Sequence, residues 1–297
     1  MSERNAVATS DTKAVEEILM ARPSSDGDGV KLLRVFGGSG DPARFDPFLM
    51  MDEFGSAEAS DYIGGFPPHP HRGFETVTYM LDGHMEHQDH MGNVGDLQNG
   101  DVQWMTAGAG IIHSEMPKQT EGRMRGFQVW VNLPARTKMQ PPSYSDIAAA
   151  SIPDIALPGV SGKAIAGTAT IDGNPIKGRV ERPDTHPIYL DLQFAEAGQT
   201  HQIALPAGYT TLVYVYEGGA QLGAQATAVK RGHLARLQRD GELIEITPVA
   251  DNTRVLVLAG AALNEPIVQY GPFVMNTREE IEQALRDYRD GRFTQSA

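Results

Sequence analysis

The octapeptide TVTYMLDG at residues 76–83 returns as TLVYVYEG at residues 211–218, with threonine, tyrosine, an acid and glycine in register at an offset of 135. Two further landmarks repeat. The glycines before DVQWM and HLARL, Gly100 and Gly232, lie 132 apart, and VWVNL (129–133) and VLVLA (255–259) lie 126 apart. Three landmarks in one order with a slowly drifting offset mark a duplicated unit, so the chain has to fold as two copies of one architecture in tandem. The repeated pieces are β-branched and aromatic runs of strand length, punctuated by 32 glycines and 19 prolines. Strands are predicted over 31–36, 74–81, 101–106, 125–133, 187–194, 210–217, 233–238 and 253–260, which makes each half an all-β sandwich or barrel. The small, proline-bearing, aperiodic stretch 146–162 reads as a connector between the halves. One helix closes the chain: Asn276 and Thr277 offer a cap, Glu279 and Glu280 put acids in the first turn, and Gly291 ends it. Its apolar stripe is Ile281, Leu285 and Tyr288, at spacings that suit packing on a sheet.

Composition narrows the chemistry. A chain of 297 residues can bury two domain cores, and a formal net charge of −13 excludes a general electrostatic grip on nucleic acid or anionic lipid. There is no cysteine. Disulfides, zinc–thiolate sites, iron–sulfur clusters and cysteine nucleophiles are therefore excluded, and a bound metal has to use histidine, carboxylate or water. The first twenty residues hold no apolar core of signal-peptide length, and no run of 18 apolar residues occurs anywhere. The expectation is a cytoplasmic protein.

The stretch GFPPHPHRGFETVTYMLDG (65–83) places His69 and His71 two residues apart at the start of an alternating run. In a strand such residues share a face, about 6–7 Å apart along the backbone. Forty-two residues after His71 the device recurs in GAGIIHSEMP, as His113 and Glu115. Adjacent strands that bring both pairs to one barrel interior would surround a divalent cation with three neutral imidazoles and a carboxylate, leaving one or two open positions. Fe(II), Mn(II), Co(II), Ni(II) and Zn(II) all suit such a set. An isolated His-x-His is more often a pair of ordinary surface histidines; the second pair, after a glycine-rich turn, decides for the metal. Glu75 continues the alternation of His69 and His71. It reads as a spare ligand, a hydrogen-bond partner, a proton acceptor, or else a solvated carboxylate. His84, His87 and His90 fall in the polar turn MLDGHMEHQDHMGN and are expected to be exposed to solvent. In the second copy the offset maps His69 and His71 onto Ala204 and Pro206, and His113 onto Glu245. His201 stands alone there, so that copy is expected to carry no ligand set.

Five segments give the chain a family resemblance: DPFLMMDEFG (46–55), GFPPHPHRGFETVTYMLDG (65–83), GDVQWMTAGAGIIHSEMP (100–117), RGFQVWVNLP (125–134) and YGPFVMNTREEIEQA (270–284). From about Gly29 to Phe293 it resembles the pirins, members of the cupin superfamily. General cupin motifs fit loosely. The usual proline of the second motif is Thr106 and two extra residues precede His113, departures that follow the pirin version. The resemblance implies an all-β bicupin fold, two tandem cupin (double-stranded β-helix, or jelly-roll) barrels with a short C-terminal helix. The expected division is an extension over 1–28, a metal-bearing barrel over 29–148, a connector over 149–180, a barrel without metal over 181–275, and a helix and tail over 276–297.

The resemblance also implies one divalent ion, most often iron, held by His69, His71, His113 and Glu115. Two functions attach to the family: cleavage of quercetin by dioxygen, and metal-dependent regulation through partner proteins that include transcription factors and metabolic enzymes. The leading expectation is a dioxygenase that opens the heterocycle of a quercetin-like flavonol with release of carbon monoxide. Glu115, assisted by Glu75, is then the candidate base for the 3-hydroxyl, and Phe66 an aromatic wall of the cavity. The rival is a metal- or redox-dependent regulator that binds other proteins. Expected partners are a flavonol-like molecule and dioxygen, or a protein, with neither nucleic acid nor membrane, and the chain is expected to be a monomer.

Overall fold

The computed structural model describes residues 11–38 and 40–295. They form two compact units. One takes Met20–Pro153, Arg182–His186 and the chain from Gly260 onward; the other takes the stretch ending at Leu19, Asp154–Glu181 and Pro187–Ala259.

The first unit holds a seven-stranded sheet in the order Ser143–Ile147, Val102–Thr106, Phe74–Asp82, Met124–Asn132, Phe48–Ser56, Val30–Phe36, Arg22–Asp26. Its second sheet has four strands, ordered Phe66–His71, Ile111–Pro117, Met85–Asp89, Val94–Leu97. The second unit repeats the plan. Its seven-stranded sheet runs Val15–Met20, His233–Leu237, Thr210–Glu217, Thr253–Gly260, Ile188–Phe194, Val160–Ala166, Asp154–Leu157. Its other sheet runs Asn174–Lys177, Thr168–Ile171, His201–Ala204, Leu243–Pro248, Gly219–Leu222, Thr227–Lys230. The two octapeptides occupy the third strand of their respective sheets, and the VWVNL and VLVLA segments the fourth. The fold is the bicupin, and each of the strands expected from the sequence is present with its ends within a residue.

Two expectations are corrected. Residues 149–180 are no connector: Asp154–Leu157, Val160–Ala166, Thr168–Ile171 and Asn174–Lys177 are strands of the second unit's sheets. Three of them are four residues long, and all lie at or next to sheet edges, so their alternation is faint; pairing, not local propensity, makes them strands. Nor is 1–28 a separate extension. Val15–Met20 borders His233–Leu237 as the edge of the second unit's sheet, and Arg22–Asp26 pairs with Val30–Phe36 in the first.

The second unit is filled. Leu190, Leu192, Ile203, Val213, Val215, Ile244, Ile246 and Val257 all belong to one continuous buried core with no measurable exposure, and each such side chain stabilises the fold by about 1.5–3 kcal/mol. In the first unit the apolar residues divide into separate clusters. One contains Leu32, Phe54, Met80 and Met85, another Leu49, Met50, Phe74 and Trp130. A cavity lined by members of both remains.

The helix spans Arg278–Arg289 and begins with a capping box in which Thr277 and Glu280 satisfy each other's backbone N–H groups. It turns Ile281, Ala284 and Asp287 inward and keeps one side of the partly exposed Tyr288 ring against Phe293 at a centroid distance of 5.6 Å, while Leu285 is exposed, which corrects the expected stripe at that residue. The cause is Arg72. Its buried guanidinium donates from Nη1 to Asp287 Oδ2 at 2.8 Å and lies over the Phe293 ring, rotating the helix so that a carboxylate faces the core. No helix among the described residues is long and apolar enough to cross a membrane.

Candidate metal centre

The strand Phe66–His71 pairs antiparallel with Ile111–Pro117, and the register sets His113 directly opposite His69. His71 shares the face of His69, so the three rings converge. Their centroids lie 4.3 Å (His69–His113), 4.7 Å (His69–His71) and 4.9 Å (His71–His113) apart. One nitrogen from each ring lies within 4.8 Å of the other two.

Hydrogen bonding orients these nitrogens. The Pro67 carbonyl can only accept, so the 2.8 Å contact from His69 Nδ1 puts the proton on Nδ1 and leaves a lone pair on Nε2. That Nε2 is 3.0 Å from His71 Nε2, a distance at which two lone pairs repel unless a proton or a cation lies between them. His113 Nε2 is buried without a hydrogen-bond partner among the described residues. Burial, reinforced by the neighbouring histidines, holds the pKa of His71 and of His113 well below the ordinary histidine value. Both rings are thus neutral near pH 7, the form a cation requires. Converging neutral nitrogens with an orphaned buried acceptor fit a divalent ion of the Fe, Mn, Co, Ni or Zn type.

Glu115 follows His113 at i+2 on the same strand, and the pairing register slips between the two, leaving Glu115 opposite Phe66. Its buried carboxylate stands outside the three-nitrogen group. Thr78 Oγ1 donates to Oε1 at 3.0 Å and Gln128 Nε2 donates to Oε2 at 3.1 Å. Glu115, His69 and His71 line the same cavity.

Glu75 does not join them. Its Oε2 accepts from Trp104 Nε1 at 3.0 Å, its Oε1 accepts from Thr106 Oγ1 at 2.6 Å, and Arg182 Nε lies 3.3 Å away. The alternation that seemed to carry from His71 to Glu75 is broken at Gly73, whose φ is +90° and where a Cβ would meet the Val274 carbonyl oxygen at 2.0 Å. Beyond that break the inward face belongs to Phe74, Thr76 and Thr78, and Glu75 points the other way.

His87 corrects a second expectation. It is fully buried on the strand Met85–Asp89, opposite Glu115, with Nδ1 3.3 Å from His113 Nδ1 and its ring stacked on Tyr144. The alternation Met85, His87 within a strand was the signal; the polar neighbours disguised it as a turn. His84 is half-buried beside Asp96, and His90 is exposed. In the second unit His201 is buried and its Nδ1 bonds Asp172 Oδ2 at 2.7 Å. There the strands equivalent to Phe66–His71 and Ile111–Pro117 send Ile203, Ile244 and Ile246 into the core.

The cavity measures about 980 Å³. Phe66 lines it as expected, together with Trp130, whose ring lies edge-on to His71 at a centroid distance of 5.2 Å. Trp130, Gln128 and Thr78 were not singled out from the sequence. Gln128 and Trp130 share one face of the run RGFQVWVNL, and a glutamine on the inward face of so apolar a strand was the available clue.

Comparison with known proteins places this geometry. Residues 29–131 match the family model described as Pirin, and residues 189–294 match the Pirin C-terminal cupin domain. A Pseudomonas aeruginosa protein that carries the provisional name quercetin 2,3-dioxygenase is 56% identical over 280 residues, covering 93% of this chain and 96% of its own. Human pirin is 37% identical over 284 residues, covering 95% and 94%. The crystal structure of a quercetin 2,3-dioxygenase from Acinetobacter baumannii superposes with a TM-score of 0.86 at 36% identity, covering 95% and 98%. With both halves matched, its bicupin sheets in place and a histidine triad in the first barrel, the chain belongs to the pirin family.

Proposed function

We propose that the chain is a metal-dependent oxidoreductase of the quercetin 2,3-dioxygenase type, acting in the N-terminal barrel. The observation that carries this reading is the convergence of three imidazoles, two of which (His69 and His71) line a cavity of about 980 Å³, the size that takes a small organic ligand. The names borne by the Pseudomonas and Acinetobacter relatives support it.

His69, His71 and His113 would hold one divalent ion, with iron the first candidate, and Glu115, whose carboxylate stands outside the nitrogen group in the same cavity, would add the fourth donor on binding. The ion contributes Lewis acidity and redox chemistry at the reacting carbons. The protein's own part begins with a proton. Glu115 accepts it from the flavonol 3-hydroxyl, while Thr78 and Gln128 hold the carboxylate toward the cavity so that little reorganisation is needed. Phe66 and Trp130 flank the substrate rings and keep water from the resulting enolate. Ring opening places both atoms of dioxygen in the organic product, and the excised carbon leaves as carbon monoxide with the former 3-oxygen. Glu115 returns its proton to the carboxylate of the product.

Glu115→Gln tests the assignment. An amide cannot accept the proton, so quercetin turnover per bound metal should fall by roughly 10²–10⁴-fold. Equal rates per metal in wild type and variant would remove Glu115 as the base. Metal bound with no turnover in either protein would replace the enzyme by a metal-dependent regulator.

A further inference from the structure

A polar row crosses the inner face of the first unit's seven-stranded sheet at one rung. The register sets Arg34 against Asp52, Asp52 against Gln128, and Gln128 against Thr78. All four line the cavity. At one end Thr78 and Gln128 hold Glu115. At the other, Arg34 grips Asp52 through two parallel hydrogen bonds, Nε to Oδ1 at 2.9 Å and Nη2 to Oδ2 at 2.8 Å. Strands lie about 4.8 Å apart, so Asp52 stands two spacings, or about 10 Å, from Thr78. A fused bicyclic ring with an aryl substituent spans such a distance.

The pair is not needed to fill the barrel. The neighbouring residues of the same face, Leu32 and Phe54 on one side and Met50 on the other, are apolar, and a buried ion pair is commonly no more stabilising than apolar side chains of similar volume. Asp52 is 5% exposed and Arg34 25% exposed at the side chain, so the pair faces the cavity more than bulk water. Arg34 Nη1 has no hydrogen-bond acceptor among the described residues, and each Asp52 oxygen keeps a lone pair beyond the one Arg34 uses. The site therefore offers donors on the outer guanidinium edge, next to the edge that Asp52 occupies, and an acceptor on Asp52 Oδ2. Asp26, 3.5 Å from Arg34 Nη2, adds a second carboxylate and disfavours an anionic ligand. A neutral group with an acceptor next to a donor matches, and adjacent hydroxyls on an aromatic ring are such a group: one oxygen accepts from the outer guanidinium edge formed by Nη1 and Nη2 while the neighbouring O–H donates to Asp52 Oδ2.

We propose that Arg34 and Asp52 form a recognition site that selects substrates carrying adjacent hydroxyls on the aryl ring attached next to the carbon that bears the 3-hydroxyl. This rests on the flavonol reading above, and the experiment separates the two. Quercetin, kaempferol and galangin share one hydroxylated bicyclic head and carry two, one and no hydroxyls on the aryl substituent. Their dissociation constants, read by quenching of tryptophan fluorescence, and their kcat/KM values are compared in metal-loaded wild type, Arg34→Met and the double variant Arg34→Met/Asp52→Leu, which leaves no charge stranded if the single variant folds poorly. Wild type should favour quercetin over galangin by roughly 10–100-fold, from one or two hydrogen bonds to charged groups. Both variants should collapse that ratio to within about threefold. A ratio near one in wild type, or one preserved in the variants, overturns the proposal. If no flavonol binds, the flavonol reading falls, and 4-methylcatechol against 4-methylphenol decides the site alone. A catechol preference that Arg34→Met abolishes upholds it, because any chelation of the metal is common to both proteins; equal preferences overturn it.

Discussion

Freed of metal, the protein should lose stability steadily as the pH falls from 7.5 to 5.5, and the buried imidazoles of His71 and His113 set the loss. Burial holds both well below the ordinary histidine pKa in the folded state, whereas in the unfolded chain each titrates near 6.5. Over this interval the unfolded state takes up a proton at each ring that the folded state refuses. The unfolded state then binds more protons, so stability rises with pH and falls with acid. Integration gives about 1.4 kcal/mol per histidine across the two pH units, or about 3 kcal/mol for the pair. His87 acts in the same direction by less, since burial lowers it while Glu115 and Asp89 pull it back. Urea midpoints by circular dichroism, measured on chelator-treated wild type and on His71→Leu/His113→Leu, isolate the effect from the carboxylates that both proteins share. The wild-type curve should descend more steeply by about 3 kcal/mol. Restoring metal at about 100 times its dissociation constant should raise wild type by about 2.7 kcal/mol and leave the double variant unmoved. Parallel pH curves for the two proteins would refute the claim that these rings are held neutral by the fold.

Lys138→Met should destabilise the protein by about 3–5 kcal/mol, read as a fall in the urea midpoint. Lys138 Nζ donates to Gly73 O at 2.7 Å, Asn132 Oδ1 at 2.6 Å and Val274 O at 3.1 Å, and each buried acceptor left without a donor costs about 1–3 kcal/mol. His201→Leu should leave the metal content at its wild-type value while costing about 1–2 kcal/mol for the lost hydrogen bond to Asp172. Elemental analysis beside a denaturation curve reads both, and a parallel loss of metal without unfolding would assign the second barrel a share in binding.

The duplication was legible because the central strands of each sheet carry their own signal. Phe74–Asp82 and Thr210–Glu217 are buried almost throughout, so their β-branched and aromatic residues repeat from copy to copy. Edge strands carry no such constraint. Asp154–Leu157 buries Ile155 alone, and Val15–Met20 buries none of its residues fully, which is why one was read as linker and the other as extension. The triad was legible from two i, i+2 pairs, since each pair sits wholly within one strand and its parity is intact. Glu75 was misplaced because parity was carried across Gly73, where the backbone leaves the extended region. His87 was missed because the residues around it are polar, and only the packing of its strand against Ile111–Pro117 makes it interior. The cavity's Arg34, Asp52, Gln128 and Thr78 come from four different strands, and one rung brings them together. Cross-strand register of that kind is fixed by pairing and turn geometry over the whole sheet, and no local stretch of sequence encodes it.

The central claim, that one ion held in the first barrel enables a dioxygenase reaction, is tested most directly by adding iron or manganese stepwise to metal-free protein while measuring carbon monoxide released, dioxygen consumed and quercetin lost. The account predicts no reaction without metal, a rate that rises in proportion to bound ion and levels off at about one equivalent per chain, and equal amounts of carbon monoxide, dioxygen and quercetin. Bound metal without carbon monoxide, or quercetin loss indifferent to metal, would contradict it.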